Sequence, residues 1–152
     1  MIARYFAYGS NMNPERVRER GIVFGAALGA RLDGYRLAFN KSSSRHPGVG
    51  HANIVFDPEA VVEGVLYWLD GPAEIQKMDS FESTPINYSR DIIEVATEHG
   101  VESTWTYFAN PAVLAADLKP PRAYLNHLLA GREYLSPAYY AALAGWECEE
   151  ER

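Results

Sequence analysis

An α+β domain, a mixed sheet or barrel of six or seven strands with helices around it, is the fold the sequence predicts. Three observations carry that expectation. Short apolar and aromatic runs, punctuated by glycine, proline and aspartate, fill the first two-thirds of the chain. Two alanine- and leucine-rich segments, each ended by glycine, close it. No repeat, low-complexity tract or linker divides it, and 152 residues with a 47% hydrophobic share suit one core. A single domain is expected over residues 1–146, followed by an acidic tail at 147–152.

The elements follow in order. Ile2 to Tyr8 mixes apolar and aromatic residues in a strand-like run that stops at Gly9-Ser10-Asn11. Asn13 can cap a helix with Pro14 at its first position, running to about Arg20 and stopped by Gly21. Its charged "ERVRER" predicts a surface helix. Between Gly25 and Asn40, one or two strands are expected about a turn at Asp33-Gly34. The polar loop "KSSSRHPGVGH" follows, long enough to be functional. "HANIVFDP" and "VVEGVLYWLD" predict two paired strands separated by a turn at Asp57-Pro58.

Pro72 is expected to open a short helix whose Ile75, Met78 and Phe81 face the core. "INYSRDIIEVATE" and "VESTWTYFA" alternate about His99-Gly100, as a hairpin requires. "RAYLNHLLAG" and "SPAYYAALAG" then form closing helices, the second capped by Ser136 with Pro137 at its first position.

Composition excludes several functions. With a formal net charge of -6 and only 14 scattered Lys and Arg, no basic stripe exists to neutralise phosphates, so nucleic acid is not an expected partner. No long apolar segment points to a membrane. The single cysteine, Cys148, permits no intrachain disulfide, and a reducing, cytoplasmic setting is expected. His46, His51, His99 and His127 form no short ligand pairs, so no metal is expected. Ser10 lacks the Gly-x-Ser-x-Gly elbow of a serine hydrolase.

Two stretches retain chemical interest. In "MDSFESTP", Asp79 and Glu82 lie three residues apart beside Phe81 and Pro85, where a carboxylate could act as acid or base or simply cover an exposed helix face. In "YFAYGSN", the glycine could merely turn the chain. It could also let the amides of Gly9, Ser10 and Asn11 converge on an anionic oxygen.

Together, "YFAYGSNM", "EGVLYWL", "MDSFES" leading to "NYSR", and "PPRAYLNHLLAGREYLSPAYYAAL" resemble the γ-glutamylcyclotransferase family in order and spacing, over nearly the whole chain. That resemblance implies a small mixed β-barrel with surrounding helices. It also implies a cofactor-free acyltransferase or lyase-type cyclisation, in which the substrate's α-amine attacks its own γ-carbonyl and releases 5-oxoproline with an amine or amino acid. Glu82 matches the family's acid/base glutamate, and Tyr8, Gly9, Ser10 and Asn11 match its substrate loop. Tyr124 and Tyr88 match binding-site tyrosines, with Tyr107 a weaker correspondence. Ser83, followed by Thr84-Pro85, stands where many relatives carry glycine, which leaves the leaving group open. The expected partner is a small γ-glutamyl molecule, with a homodimer left open. The alternative is a noncatalytic module that binds a small metabolite on the same fold.

Overall fold

The computed structural model describes residues 1–150. Five strands close into a barrel: β1 (Arg4–Ala7), β2 (Phe24–Ser42), β3 (Gly50–Leu69), β4 (Tyr88–Thr97) and β5 (Gly100–Ala109). Around the barrel the order is β1-β3-β2-β4-β5, and β5 returns to β1 in parallel through Tyr5 and Trp105. Every other pairing is antiparallel.

The strand number corrects the expected six or seven. The turn signals at Asp33-Gly34 and Asp57-Pro58 are real but meet at one place, because Asp33 pairs with Val61 and Tyr35 with Phe56. The chain bulges there without ending either strand, and Gly34 takes φ 86. Two long bent strands of 19 and 20 residues therefore replace the three or four shorter ones that the punctuation suggested. Bending lets each strand serve two sides of a small barrel.

Four helices surround it: α1 (Pro14–Glu19), α2 (Glu74–Phe81), α3 (Arg122–Leu129) and α4 (Pro137–Ala144). Asn13 caps α1 by accepting the Glu15 N–H at 3.1 Å, and Ser136 caps α4 by accepting that of Tyr139 at 3.3 Å. Pro72 lies in the turn before α2 rather than in its first turn. Ile75 and Met78 are buried as expected, but Phe81 is 47% exposed and stacks under Arg20.

Phe6, Val62, Val65, Leu66 and Tyr67 of the strands form one buried core with Met12, Met78, Leu125 and Leu128 of the surrounding turn and helices. Gly64, in "EGVLYWL", lies against the Ala7 carbonyl and the Phe6 ring, where an added Cβ would collide. Gly64→Ala is expected to destabilise the fold by about 2–3 kcal/mol through overpacking. A lowered urea midpoint with unchanged slope would register it.

The acidic tail is less free than its charge suggests. Cys148 is buried, and the Glu149 N–H donates to the Pro120 carbonyl at 2.9 Å. The side chains of Glu147 and Glu150 do face solvent, paired with Lys119 and Arg122. The last two tail positions lie outside the described residues.

Candidate active site

The strand β1 ends at Ala7, and Ser10–Met12 forms a single 3-10 turn before α1. Three hydrogen bonds fix the connection. Met12 N–H donates to Gly9 O at 2.9 Å, the Tyr67 hydroxyl to Asn11 O at 2.6 Å, and the Tyr8 hydroxyl to Tyr107 O at 2.5 Å. As the leading donors of a helical turn, the amides of Gly9, Ser10 and Asn11 have no acceptor among the described residues. A Cβ on Gly9 would stand 3.1 Å from Ala52 Cβ and 3.2 Å from the Tyr124 hydroxyl, so glycine lets the loop approach α3 and β3.

The loop borders a cavity of about 240 Å³. Around it the fold gathers every site residue expected from the sequence: Tyr8, Gly9, Ser10, Asn11, Glu82, Tyr88 and Tyr124, with Tyr107 also in the wall. The Tyr124 hydroxyl accepts the Ala52 N–H at 3.0 Å, and the Tyr88 hydroxyl donates to the Ala52 carbonyl at 2.8 Å. One residue of β3 thereby positions two tyrosines from distant elements. Burial raises the pKa of Tyr8 and Tyr88 well above the usual phenol value and brings Tyr124 to about 12, so all three stay protonated near neutrality.

Glu82 is the residue that ends α2, and its N–H donates to the Met78 carbonyl at 3.0 Å. Some of its surface opens to the cavity, while protein encloses the carboxylate on its other sides. Desolvation pushes its pKa up to about 7. Arg20, Arg16, Lys41 and the Asn11 amide oppose that rise without cancelling it. Asn11 is the junction: its Nδ2 lies 3.3 Å from Glu82 Oε1 and 3.0 Å from the Tyr5 hydroxyl, and its Oδ1 accepts from Arg20 at 3.0 Å.

The cations were not legible as site residues. In "PERVRER" they read as a solvated helix face, yet Arg16 and Arg20, four residues apart, share the side of α1 that borders the cavity, while Val17 is buried. Their i, i+4 spacing was the available signal. Lys41, at the end of β2, and His51, its partner on β3, complete the wall.

Asp79 takes a part different from the acid/base role left open by its spacing from Glu82. Its carboxylate accepts the Tyr107 hydroxyl at 2.7 Å and Arg90 Nε at 2.9 Å, tying α2 to β4 and β5 one turn before Glu82. Tyr107 thus bonds α2 through its hydroxyl and the 8–11 loop through its carbonyl. Asp79→Asn is expected to lower stability by about 1–3 kcal/mol, since Arg90 then faces a neutral group. Chemical denaturation beside wild type would measure it.

A family model described as γ-glutamyl cyclotransferase, AIG2-like, matches residues 5–132. The chain belongs to that family. The γ-glutamyl cyclotransferase match contains all the residues set around the cavity. Among solved structures, a γ-glutamyl cyclotransferase is 26% identical, with a TM-score of 0.81 over 96% of this chain and 88% of that one. An uncharacterised Homo sapiens protein is also 26% identical, with a TM-score of 0.83 over 98% and 90%. A yeast γ-glutamyl cyclotransferase specific to glutathione shares the fold at 15% identity, with a TM-score of 0.64 over 92% and 93%. No curated protein matches the sequence. Ser83, next to Glu82, adopts φ 50, a left-handed conformation that glycine takes without steric penalty.

Proposed function

We propose that the protein is a γ-glutamyl cyclotransferase that converts a γ-glutamyl amide into 5-oxoproline and a free amine. The observation that carries this reading is the Glu82 carboxylate: desolvated, near-neutral in pKa, and sharing a cavity with a loop whose three leading amides have no acceptor among the described residues. A group titrating near 7 can take a proton in one step and return it in the next at cellular pH.

In the proposed reaction the cavity folds the glutamyl chain so that its α-nitrogen approaches its γ-carbonyl carbon. Glu82 removes a proton from the α-ammonium, freeing the lone pair. The new C–N bond closes a five-membered ring, and negative charge moves to the carbonyl oxygen. Amides of Gly9, Ser10 and Asn11 stabilise that oxygen. The tetrahedral centre then collapses, the original amide C–N bond breaks, Glu82 gives its proton to the departing nitrogen, and the second proton of the ring nitrogen passes through the same carboxylate to the released amine, which leaves as an ammonium. No water is consumed. Arg20, held by Asn11 and stacked on Phe81, supplies a positive charge for the substrate's α-carboxylate.

Purified protein incubated with γ-glutamyl amino acids, γ-glutamylamines and ε-(γ-glutamyl)lysine is expected to release 5-oxoproline from at least one, as chromatography with mass detection would register. Absence of release across that panel, with ligand binding retained, would instead favour the noncatalytic reading. Because the base must be ionised, kcat/KM is expected to rise with pH through about 7 and then level. A rising limb centred near 4.5 would contradict a desolvated Glu82.

A further inference from the structure

His127 stands between two donors. It lies in the last turn of α3, where a helix ordinarily favours a charged imidazole. Across the interface α1 and its cap present Asn13 Nδ2 at 3.0 Å from Nδ1 and Arg16 Nη1 at 3.3 Å from Nε2. The Asn13 amide cannot turn its oxygen to the ring without giving up the helix cap, because Oδ1 accepts the Glu15 N–H. A guanidinium has no acceptor atom at all. Both ring nitrogens therefore face N–H groups. A neutral imidazole answers one of them with its single lone pair, and an imidazolium answers neither.

The charged donor has the stronger claim on that lone pair. The bond to His127 is the one hydrogen bond that the Arg16 guanidinium makes among the described residues, and its buried Nε is without a partner there. What His127 holds is a cavity residue, since Arg16 shares the wall with Arg20 and Glu82. The surroundings keep the ring neutral. Burial comes first in lowering its pKa below the ordinary 6.5, followed by Arg16 and then Arg20, while Glu19 of the same helix pulls the other way. The Ser10–Met12 turn and α4, which also pack on α3, add no charged side chain; the titratable groups of α4 are Tyr139 and Tyr140.

We propose that His127 is a positioning residue: its neutral ring accepts from Arg16 and holds that guanidinium at the cavity wall, and a proton on the ring, taken from solvent, releases it. Arg16 acts in turn on Glu82, where its charge opposes the rise in pKa and keeps part of the base ionised near neutrality. On acidification the site loses a wall cation soon after Glu82 takes up its own proton. The consequence for catalysis rests on the cyclotransferase reading. The contact between His127 and Arg16 does not.

Nitrogen-15 NMR of the whole protein, titrated downward from about pH 8, tests the contact without substrate. The Arg16 side-chain nitrogens are expected to shift with two midpoints, one shared with Glu82 at about 7 and one shared with the His127 imidazole below 6.5. In His127→Gln, whose amide oxygen is an acceptor that does not titrate, the lower midpoint should vanish. The Glu82 carboxyl, followed by carbon-13 NMR, should titrate at about 7 in wild type and in His127→Gln, and about half a pH unit or more higher in His127→Leu. The rising limb of kcat/KM should follow the same order, because it reports groups of the free enzyme. Arg16 signals blind to the His127 titration, a His127 midpoint at or above 6.5, or one Glu82 midpoint shared by wild type and His127→Leu would overturn the proposal. Should His127→Leu fail to fold, the wild-type titration and its comparison with His127→Gln decide. If no γ-glutamyl compound yields 5-oxoproline, the cyclotransferase reading fails separately, and the NMR titrations still decide whether His127 holds Arg16.

Discussion

Glu82→Gln is expected to lower kcat/KM by about a thousandfold while making the folded protein more stable at neutral and alkaline pH. The loss of activity follows from the two proton transfers assigned to one side chain: glutamine is similar in shape but can neither accept nor return the proton. The gain in stability follows from linkage. A carboxylate whose folded pKa is about 7, against 4.5 unfolded, favours the fold fully only below pH 4.5, and that contribution is lost as pH rises through 7. Above pH 7 the ionised side chain therefore opposes folding by an amount on the order of 3 kcal/mol. Glutamine removes the burden, so the variant's Tm should exceed wild type at pH 8 and converge toward it near pH 4.5. Equal stability across that range would mean that Glu82 is better solvated than its surroundings imply. Full activity in the variant would remove it from the chemistry.

Asn11→Ala is expected to have the next largest effect, because one buried amide joins three functions. It contacts Glu82 and the Tyr5 hydroxyl through Nδ2 and holds Arg20 through Oδ1. Truncation leaves the Tyr5 hydroxyl buried without that partner and frees the guanidinium, with an expected stability loss of about 2–4 kcal/mol. The hydrogen bond from Asn11 also favours the ionised form of Glu82. Its removal should therefore move the rising limb of the pH profile above 7 and lower kcat/KM at pH 7 by about 10- to 100-fold. A pH–rate series with chemical denaturation beside it separates the two effects. An unmoved limb would show that Asn11 does not tune the carboxylate.

Both expectations depend on a site whose glutamate and loop were legible in the sequence and whose cations were not. Gly9-Ser10-Asn11 interrupts an apolar run, and Glu82 sits among apolar neighbours, so each leaves a local mark. Arg16 and Arg20 leave only their i, i+4 spacing, and a charged face on a short helix looks the same whether it meets solvent or a cavity. Only α3 packing against the 10–12 turn and β3 crossing beneath it turn that face inward. The same limit governs the fold. Helix caps at Asn13 and Ser136 depend on adjacent residues and were readable, as was the β4–β5 hairpin, whose turn falls at Glu98-His99, one residue before the expected His99-Gly100. Asp33-Gly34 and Asp57-Pro58 looked like chain reversals because a bulge uses the same residues as a turn. Their opposition across one ladder, which makes two strands bend together, is a nonlocal property.

The central claim is that the substrate's own amine, rather than water, displaces the leaving group under Glu82. Turnover of γ-glutamylalanine in water enriched with oxygen-18 tests it most directly, with products weighed by mass spectrometry. Intramolecular cyclisation is expected to give 5-oxoproline and alanine with no heavy oxygen in either. Release of glutamate carrying one heavy oxygen would show that water attacks the γ-carbonyl, and would contradict the account.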